Sequence, residues 1–127
     1  MKSWTPQQVA DAAGARLVAA PPQREGPTGA TIDSRQVTDG SLFVGLPGAR
    51  ADGGQFASAA LGNGAWGVLV TPEHAAHAAR AGTETVLAAA DPLTALQRLA
   101  TAYESELDRN LRMLVALATR LSVRLTG

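Results

Sequence analysis

From residue 41 onward, short apolar segments alternate with segments that open on helix-start signals, and this order constrains the fold more than any other feature. The apolar segments are residues 41–46, 65–70 and 85–89. The nearly continuous apolar character of residues 41–46 is typical of a strand buried on both faces. Thr71-Pro72-Glu73 and Asp91-Pro92 each combine a capping side chain with a proline suited to the first helical turn. This order predicts an α/β domain, with a mixed sheet of about five strands flanked by helices.

The first forty residues predict one more helix and two more strands. Thr5-Pro6-Gln7-Gln8 predicts a helix start, because the glutamine can reach back to the capping backbone, and Gly14 ends the helix. The predicted strands are residues 16–20 and 29–34. Asp39-Gly40 then predicts a tight turn in which the glycine adopts a positive φ.

The composition indicates a folded domain and excludes several classes of chemistry. Of the 127 residues 46% are apolar and 17% charged, which is typical of a soluble globular protein. No cysteine is present, so disulfides, thiolate metal sites and thiol nucleophiles are excluded. The 11 basic and 11 acidic residues cancel, whereas nucleic-acid binders usually carry a basic excess. No signal peptide is recognisable and no apolar run approaches the ~20 residues of a membrane span, so we expect a cytoplasmic protein without nucleic-acid or membrane partners.

The polar triplet Asp33-Ser34-Arg35 lies where the strand at 29–34 is predicted to end. The planar guanidinium of arginine suits a phosphate or a carboxylate, and a serine hydroxyl can donate or accept a hydrogen bond. Taken alone, the triplet is better explained as a polar strand end with a surface ion pair, which contributes little stability.

A second polar segment, Gly48 to Gly54, runs from a turn into a predicted helix. Asp52 can cap this helix, which is expected to extend from about Gly53 to Leu61 with Phe56, Ala59 and Ala60 facing inward. Unpaired N–H groups at a helix start attract anions. In isolation the segment is no more than a capped loop, but its closeness in sequence to the triplet favours one shared concavity for a polar, anionic small molecule.

Metal binding has weak support in the sequence. His74 and His77 lie three residues apart on one predicted helix, but no further ligands are evident. A solvated helix face explains them better, so no metal site is expected.

Several motifs in a fixed order extend from Trp4 to about Leu107. They are WTPQQVADAAGARLV at the start, IDSR at 32–35, DGSLFVGLPGARADG at 39–53 and DPLTALQRLA at 91–100. With these motifs the chain resembles the N-terminal domain of the Mur ligases, specifically the type that adds D-alanyl-D-alanine. The sister ligase that adds the third amino acid of the peptide shares much of the pattern.

The resemblance implies that the domain holds the UDP end of a UDP-N-acetylmuramoyl-peptide (UDP-MurNAc-peptide). The family enzyme would join D-Ala-D-Ala to the UDP-MurNAc-tripeptide in peptidoglycan synthesis, using ATP and Mg²⁺ on another domain. Carried over residue by residue, the UDP site would comprise Ile32, Ser34 and Arg35 on one side, Ala49, Arg50 and Ala51 on the other, and the loop-shaping Asp52 and Gly53. The family often has histidine where this chain has Gly54.

The C-terminal residues depart from the family pattern. The family continues into a phosphate loop of the form G-x-x-x-x-G-K-[ST], whereas this chain reads RMLVALATRLSVRLTG and has no lysine after Lys2. Without those groups the ATP phosphates have no cradle. We therefore expect residues 1–108 to form the UDP-sugar-binding domain and residues 109–127 a divergent tail. The chain would be a truncated or frameshifted product that holds no cofactor and does not catalyse alone.

The tail is compatible with more than one structure. Leucines recur in it at helical spacing from Leu111 to Leu125, which favours an amphipathic helix, although Met113 to Leu117 could equally be a buried strand. Such a helix could self-associate through residues 111–125, which would make the chain a non-enzymatic interaction module. The chain could instead be a product without function, or the N-terminal domain of the sister ligase.

Overall fold

A computed structural model describes residues 4–22, 25–48, 53–81, 84–102 and 115–120. In chain order the regular elements are α1 (Pro6–Ala13), β1 (Arg16–Ala19), β2 (Gly29–Thr31), β3 (Ser41–Val44), α2 (Ala57–Gly62), β4 (Gly67–Val70), α3 (Pro72–Ala81), β5 (Thr85–Ala88) and α4 (Pro92–Ala102). Short 3₁₀ helices span Ser34–Gln36 and Gly53–Phe56. Residues 115–120 are also helical.

The strands form one mixed five-stranded sheet in the order β1-β5-β4-β3-β2. β1 is antiparallel to β5, and the other neighbouring pairs are parallel. The predicted α/β class and mixed sheet are therefore confirmed. Because β2, β3, β4 and β5 run in the same direction, their carboxyl ends meet at one edge of the sheet, where open α/β sheets bind ligands.

Apolar side chains cover both faces of this sheet. On one face α1 and α4 pack against a cluster that includes Leu42 and Val44, and on the other α2 and α3 pack around Phe43. Successive β3 side chains thus point to opposite faces, as a strand requires. All four residues of β3 are buried, which explains the continuous apolar run in the sequence.

Local capping interactions fix the helix starts that the sequence predicts. In α1 the Gln8 backbone N–H donates to Thr5 Oγ1 at 3.2 Å, and the Thr5 N–H donates to Gln8 Oε1 at 2.8 Å. In α4 the Thr94 N–H donates to Asp91 Oδ1 at 3.2 Å. Gly14 ends α1 in the left-handed conformation with φ 67°.

The helix predicted from Gly53 to Leu61 differs from the structure in one respect that bears on the site. A 3₁₀ helix comes first, and α2 begins only at Ala57. Since a 3₁₀ helix has 3.0 residues per turn, the side chains rotate relative to an α-helix. Phe56 and Ala59, expected to face inward, are instead exposed, Phe56 to 44%. Ala60 is buried as predicted, and Ala57 is buried with it.

The tail is helical where it is described, in agreement with the helical interpretation for residues 115–120. Ala118 is fully buried in the same cluster as α1 and α4, with Val115 packed beside it. This side of the helix is therefore covered by the domain itself. The remainder of Leu111 to Leu125 lies outside the described residues, and self-association through it stays a prediction. In the described part of the chain, none of the helices combines the length and apolar character needed to cross a membrane.

Candidate functional site

A groove of about 1360 Å³ follows β2 and the turn after it. Residues from three separate parts of the sequence line it. They are Thr28 to Gln36, Thr38 and Ser41 from β2, the following turn and the start of β3, Phe56 from the second 3₁₀ helix, and Ala116, Leu117 and Arg120 from the tail. The groove therefore combines β2 and its turn with a 3₁₀ helix and a tail helix that are distant in sequence.

The segment that precedes β2 is held in place by residues that directly precede the parallel strands β3 and β4. The indole Nε1 of Trp66 donates to the carbonyl oxygen of Glu25 at 2.5 Å, and the Thr28 N–H donates to the Gly40 carbonyl at 2.9 Å. Trp66 is itself buried in the core. These bonds fix the entry to β2 and with it the wall of the groove.

The turn after β2 brings three of the predicted site residues into the groove. The strand stops at Thr31, short of the predicted end at residue 34, because Asp33 competes with the sheet for local hydrogen bonds. Its N–H donates to Thr31 Oγ1 at 3.1 Å and its Oδ1 accepts from the Arg35 N–H at 2.9 Å. Ser34 and Arg35 therefore lie on a 3₁₀ turn rather than on a strand, and with Ile32 they line the groove.

Arg35 forms the surface ion pair that the sequence also suggested. Its Nε and Nη2 donate to Asp33 Oδ1 and Oδ2, each at 3.1 Å, while the arginine side chain is 87% exposed. These bonds from the Arg35 side chain, followed by the bond from its backbone N–H, hold the pKa of Asp33 below its ordinary 3.8. A guanidinium carries five N–H donors, so the Arg35 guanidinium, which is oriented by two hydrogen bonds to Asp33, retains donors for a ligand.

The second predicted half of the site begins at the carboxyl end of β3. The Gly45 N–H donates to the Leu69 carbonyl at 3.0 Å, and the Gly53 N–H donates to the Leu46 carbonyl at 2.8 Å. Gly53 packs against the backbone of Leu46 and is not among the residues that line the groove. The predicted contacts Ala49, Arg50, Ala51 and Asp52 lie outside the described residues.

The structure adds groove residues that the sequence did not single out. Phe56 was expected in the core, and Arg120 belongs to a tail that carries no local binding motif. Thr38 and Ser41 contribute hydroxyls that share a 3.0 Å hydrogen bond. Local sequence signals indicate neither Phe56 nor Arg120 as a groove residue, because the exposure of Phe56 depends on a 3₁₀ helix and Arg120 reaches the groove through the packing of the tail on the core.

Metal ligands do not gather at this groove or elsewhere in the described residues. Within the ranges that the structure describes, no three histidine, aspartate or glutamate side chains are grouped so that they could hold an ion. His74 and His77 lie on α3, away from the residues that line the groove.

Comparison with known proteins places this domain in a family. The model of the Mur ligase family, catalytic domain, matches residues 27–108, which is more than half of the chain. The chain belongs to the Mur ligase family. The five-stranded sheet with its flanking helices corresponds to the N-terminal domain that the sequence resembles.

Two curated relatives of the chain carry the same name. The chain is 40% identical over 104 residues to UDP-N-acetylmuramoyl-L-alanyl-D-glutamate–2,6-diaminopimelate ligase of Streptomyces avermitilis, covering 81% of this chain and 20% of that protein. It is 50% identical over 66 residues to the ligase of the same name from Synechococcus sp. strain WH7803, covering 52% of this chain and 13% of that one. The chain thus spans a fifth or less of the length of these relatives.

Solved structures confirm the fold. UDP-N-acetylmuramoylalanyl-D-glutamyl-2,6-diaminopimelate–D-alanyl-D-alanyl ligase from Acinetobacter baumannii matches with a TM-score of 0.61 at 24% identity, over 81% of this chain and 22% of that one. At this identity the match supports the fold and not the substrate. The expected D-alanyl-D-alanine-adding type is therefore not confirmed, because the curated relatives are named for the sister activity.

Proposed function

We propose that this domain binds the uridine diphosphate end of a UDP-MurNAc-peptide for a cytoplasmic ligase of peptidoglycan synthesis. The diaminopimelate-adding type is favoured over the D-alanyl-D-alanine-adding type, because the names of the curated relatives point to it. One observation carries the binding proposal: Ile32, Ser34 and Arg35 line a single groove at the carboxyl end of β2.

The groove offers chemistry suited to a nucleoside diphosphate. The oriented guanidinium of Arg35 can donate to phosphate oxygens, and charge-assisted bonds of this kind are about twice as strong as neutral ones. The Ser34 hydroxyl adds a second polar contact, and Ile32 adds apolar area. Ligand sites of open α/β sheets lie outside the carboxyl ends of the strands, which is where this turn is found.

The loop between β3 and the second 3₁₀ helix supports the same proposal. It starts at the carboxyl end of β3, the neighbour of β2, and neighbouring strands lie about 4.8 Å apart. Gly53 returns to within a hydrogen bond of Leu46. We therefore keep Ala49, Arg50, Ala51 and Asp52 as proposed contacts on the second side of the ligand, with Gly53 closing the loop behind them.

The proposal concerns substrate binding and not ligation. The ATP-dependent step of such ligases needs a phosphate loop with its lysine. The sequence contains no G-x-x-x-x-G-K-[ST] motif, and Lys2 is its only lysine.

Titration of the folded 127-residue chain with UDP, followed by NMR or calorimetry, tests the proposal. We expect weak binding in the millimolar range, weakened about five-fold or more by Arg35→Ala, the loss expected for one exposed charge-assisted hydrogen bond. Ser34→Ala should weaken it less, because it removes a neutral hydrogen bond. Arg80→Ala, at an exposed arginine of α3 outside the groove, is the matched control. A folded sample that shows no response to millimolar UDP would end the proposal.

A further inference from the structure

The tail contributes to the groove although it lies outside the family match. The match ends at residue 108, whereas Ala116, Leu117 and Arg120 line the groove. This part of the tail is anchored, because Ala118 is fully buried in the core. Thr119 also lies within 3.5 Å of Gln97 Nε2 on α4 and donates from Oγ1 to the Val115 carbonyl at 2.9 Å. The groove surface that it presents is therefore a fixed part of this domain.

Charge is unevenly distributed around the groove. Among the described lining residues the charged side chains are Asp33, Arg35 and Arg120. The negative charge of Asp33 is balanced by Arg35, whose guanidinium donates two hydrogen bonds to the carboxylate. Arg120 therefore gives the lining a positive excess, which attracts an anionic ligand rather than a neutral one.

Apolar exposure is concentrated in the same place. Among the described residues the large apolar side chains that stay exposed are Phe56 at 44% and Leu117 at 45%, and both line this groove. Single exposed apolar side chains are ordinary on protein surfaces. Two of them in the same groove as two arginines match a ligand with a flat ring, whose faces can pack on apolar side chains, at one end and phosphates at the other.

We propose that the tail completes the nucleotide site, with Arg120 as a second phosphate contact beside Arg35 and with Phe56 and Leu117 contacting the nucleobase. This inference rests on the proposed function and deepens it, since it assigns contacts to residues outside the family match. A guanidinium can bind a phosphate with two parallel hydrogen bonds, so two arginines can serve the two phosphates of a diphosphate. The aromatic face of Phe56 provides the kind of surface on which bases stack.

Parallel titrations with UDP and with uridine separate the two kinds of contact. Arg120→Ala should weaken UDP binding about five-fold and leave uridine binding unchanged, because uridine carries no phosphate. Phe56→Ala should weaken both ligands by the same factor, about five-fold for the loss of one base contact. Arg80→Ala is again the control. Added salt should reduce the effect of Arg120→Ala, since screening weakens exposed charge interactions.

The outcomes separate this inference from the proposed function. If Arg35→Ala weakens UDP binding but Arg120→Ala does not, the role of the tail is refuted and the nucleotide site stands. An equal loss for uridine and UDP in Arg120→Ala also refutes the phosphate contact, because it indicates a structural effect. If UDP does not bind the unmodified chain, both proposals fail. Arg120→Gln keeps the aliphatic stem of the side chain, and it decides the question if the alanine variant unfolds.

Discussion

A pair of glycine substitutions tests whether close backbone packing holds together the two ends of the loop that forms the second half of the site. Gly45, just past the end of β3, faces the 3₁₀ helix that returns from the site loop. A Cβ added there would lie 2.7 Å from Gly54 Cα, 2.8 Å from Gly54 N and 2.9 Å from Val70 Cγ1. Gly62, at the end of α2, has no atom from outside its own helix and chain neighbours within 4 Å of the corresponding position. The same chemical change, glycine to alanine, therefore meets backbone at one site and open space at the other.

The two substitutions should change the free energy of unfolding in opposite directions. At Gly45 the two nearest atoms belong to the Gly54 backbone and cannot rotate away, so overpacking should destabilise the fold by about 2–3 kcal/mol. At Gly62 the alanine restricts the unfolded chain without strain and should stabilise the fold by about 0.5 kcal/mol. The two variants should therefore differ by about 3 kcal/mol, the sum of the two effects.

Urea unfolding followed by tryptophan fluorescence measures this difference, because Trp66 is buried in the core. With a urea dependence of about 1.5 kcal/mol/M, the two midpoints should lie about 2 M apart, on either side of the unmodified chain. A Gly45→Ala variant with a midpoint at or above that of the unmodified chain would refute the packing argument. Equal midpoints for the two variants would refute it as well.

Two further predictions concern local interactions, namely the cap of α1 and the ion pair between Asp33 and Arg35. Thr5→Ala removes the reciprocal cap of α1 and should cost about 1 kcal/mol in urea unfolding; an unchanged midpoint would show that the cap contributes no stability. Asp33→Asn tests the ion pair with Arg35. Because Arg35 lowers the pKa of Asp33, the pair contributes stability above the unfolded value near 3.8 and loses it as the pH falls through the lowered folded pKa. The midpoint difference between this variant and the unmodified chain should be present near neutral pH and disappear well below pH 3.8; a difference that does not change with pH would contradict the assignment.

The fold was predictable because its main signals are local. The capping groups at Thr5 and Asp91 act within three residues, and the apolar runs of β3, β4 and β5 are contiguous in the sequence. The alternation of strands and helices then predicts a mixed sheet flanked by helices without knowledge of distant contacts. The order of the strands was not predicted, because it depends on the pairing of β1 with the distant β5.

The site was predictable only in part, because its geometry depends on close approaches. Gly40 was expected to need a positive φ, but positive φ occurs among the described glycines at Gly14 and Gly64. Gly40 is required for space instead, since a Cβ there would lie 1.9 Å from Thr28 Oγ1. The exposure of Phe56 depends in the same way on a 3₁₀ turn that helical periodicity does not predict.

The position of β2 at the margin of the sheet has a consequence for how occupancy of the groove could be observed. β2 is three residues long and is paired with β3 from Gly29 to Thr31, and among the described residues no strand pairs with its other side. Detaching it would break few ladder bonds, so local opening should begin here before it reaches the central strands. A bound nucleotide would hold this short strand closed, and slower amide hydrogen exchange at residues 29–31 would report that the groove is filled.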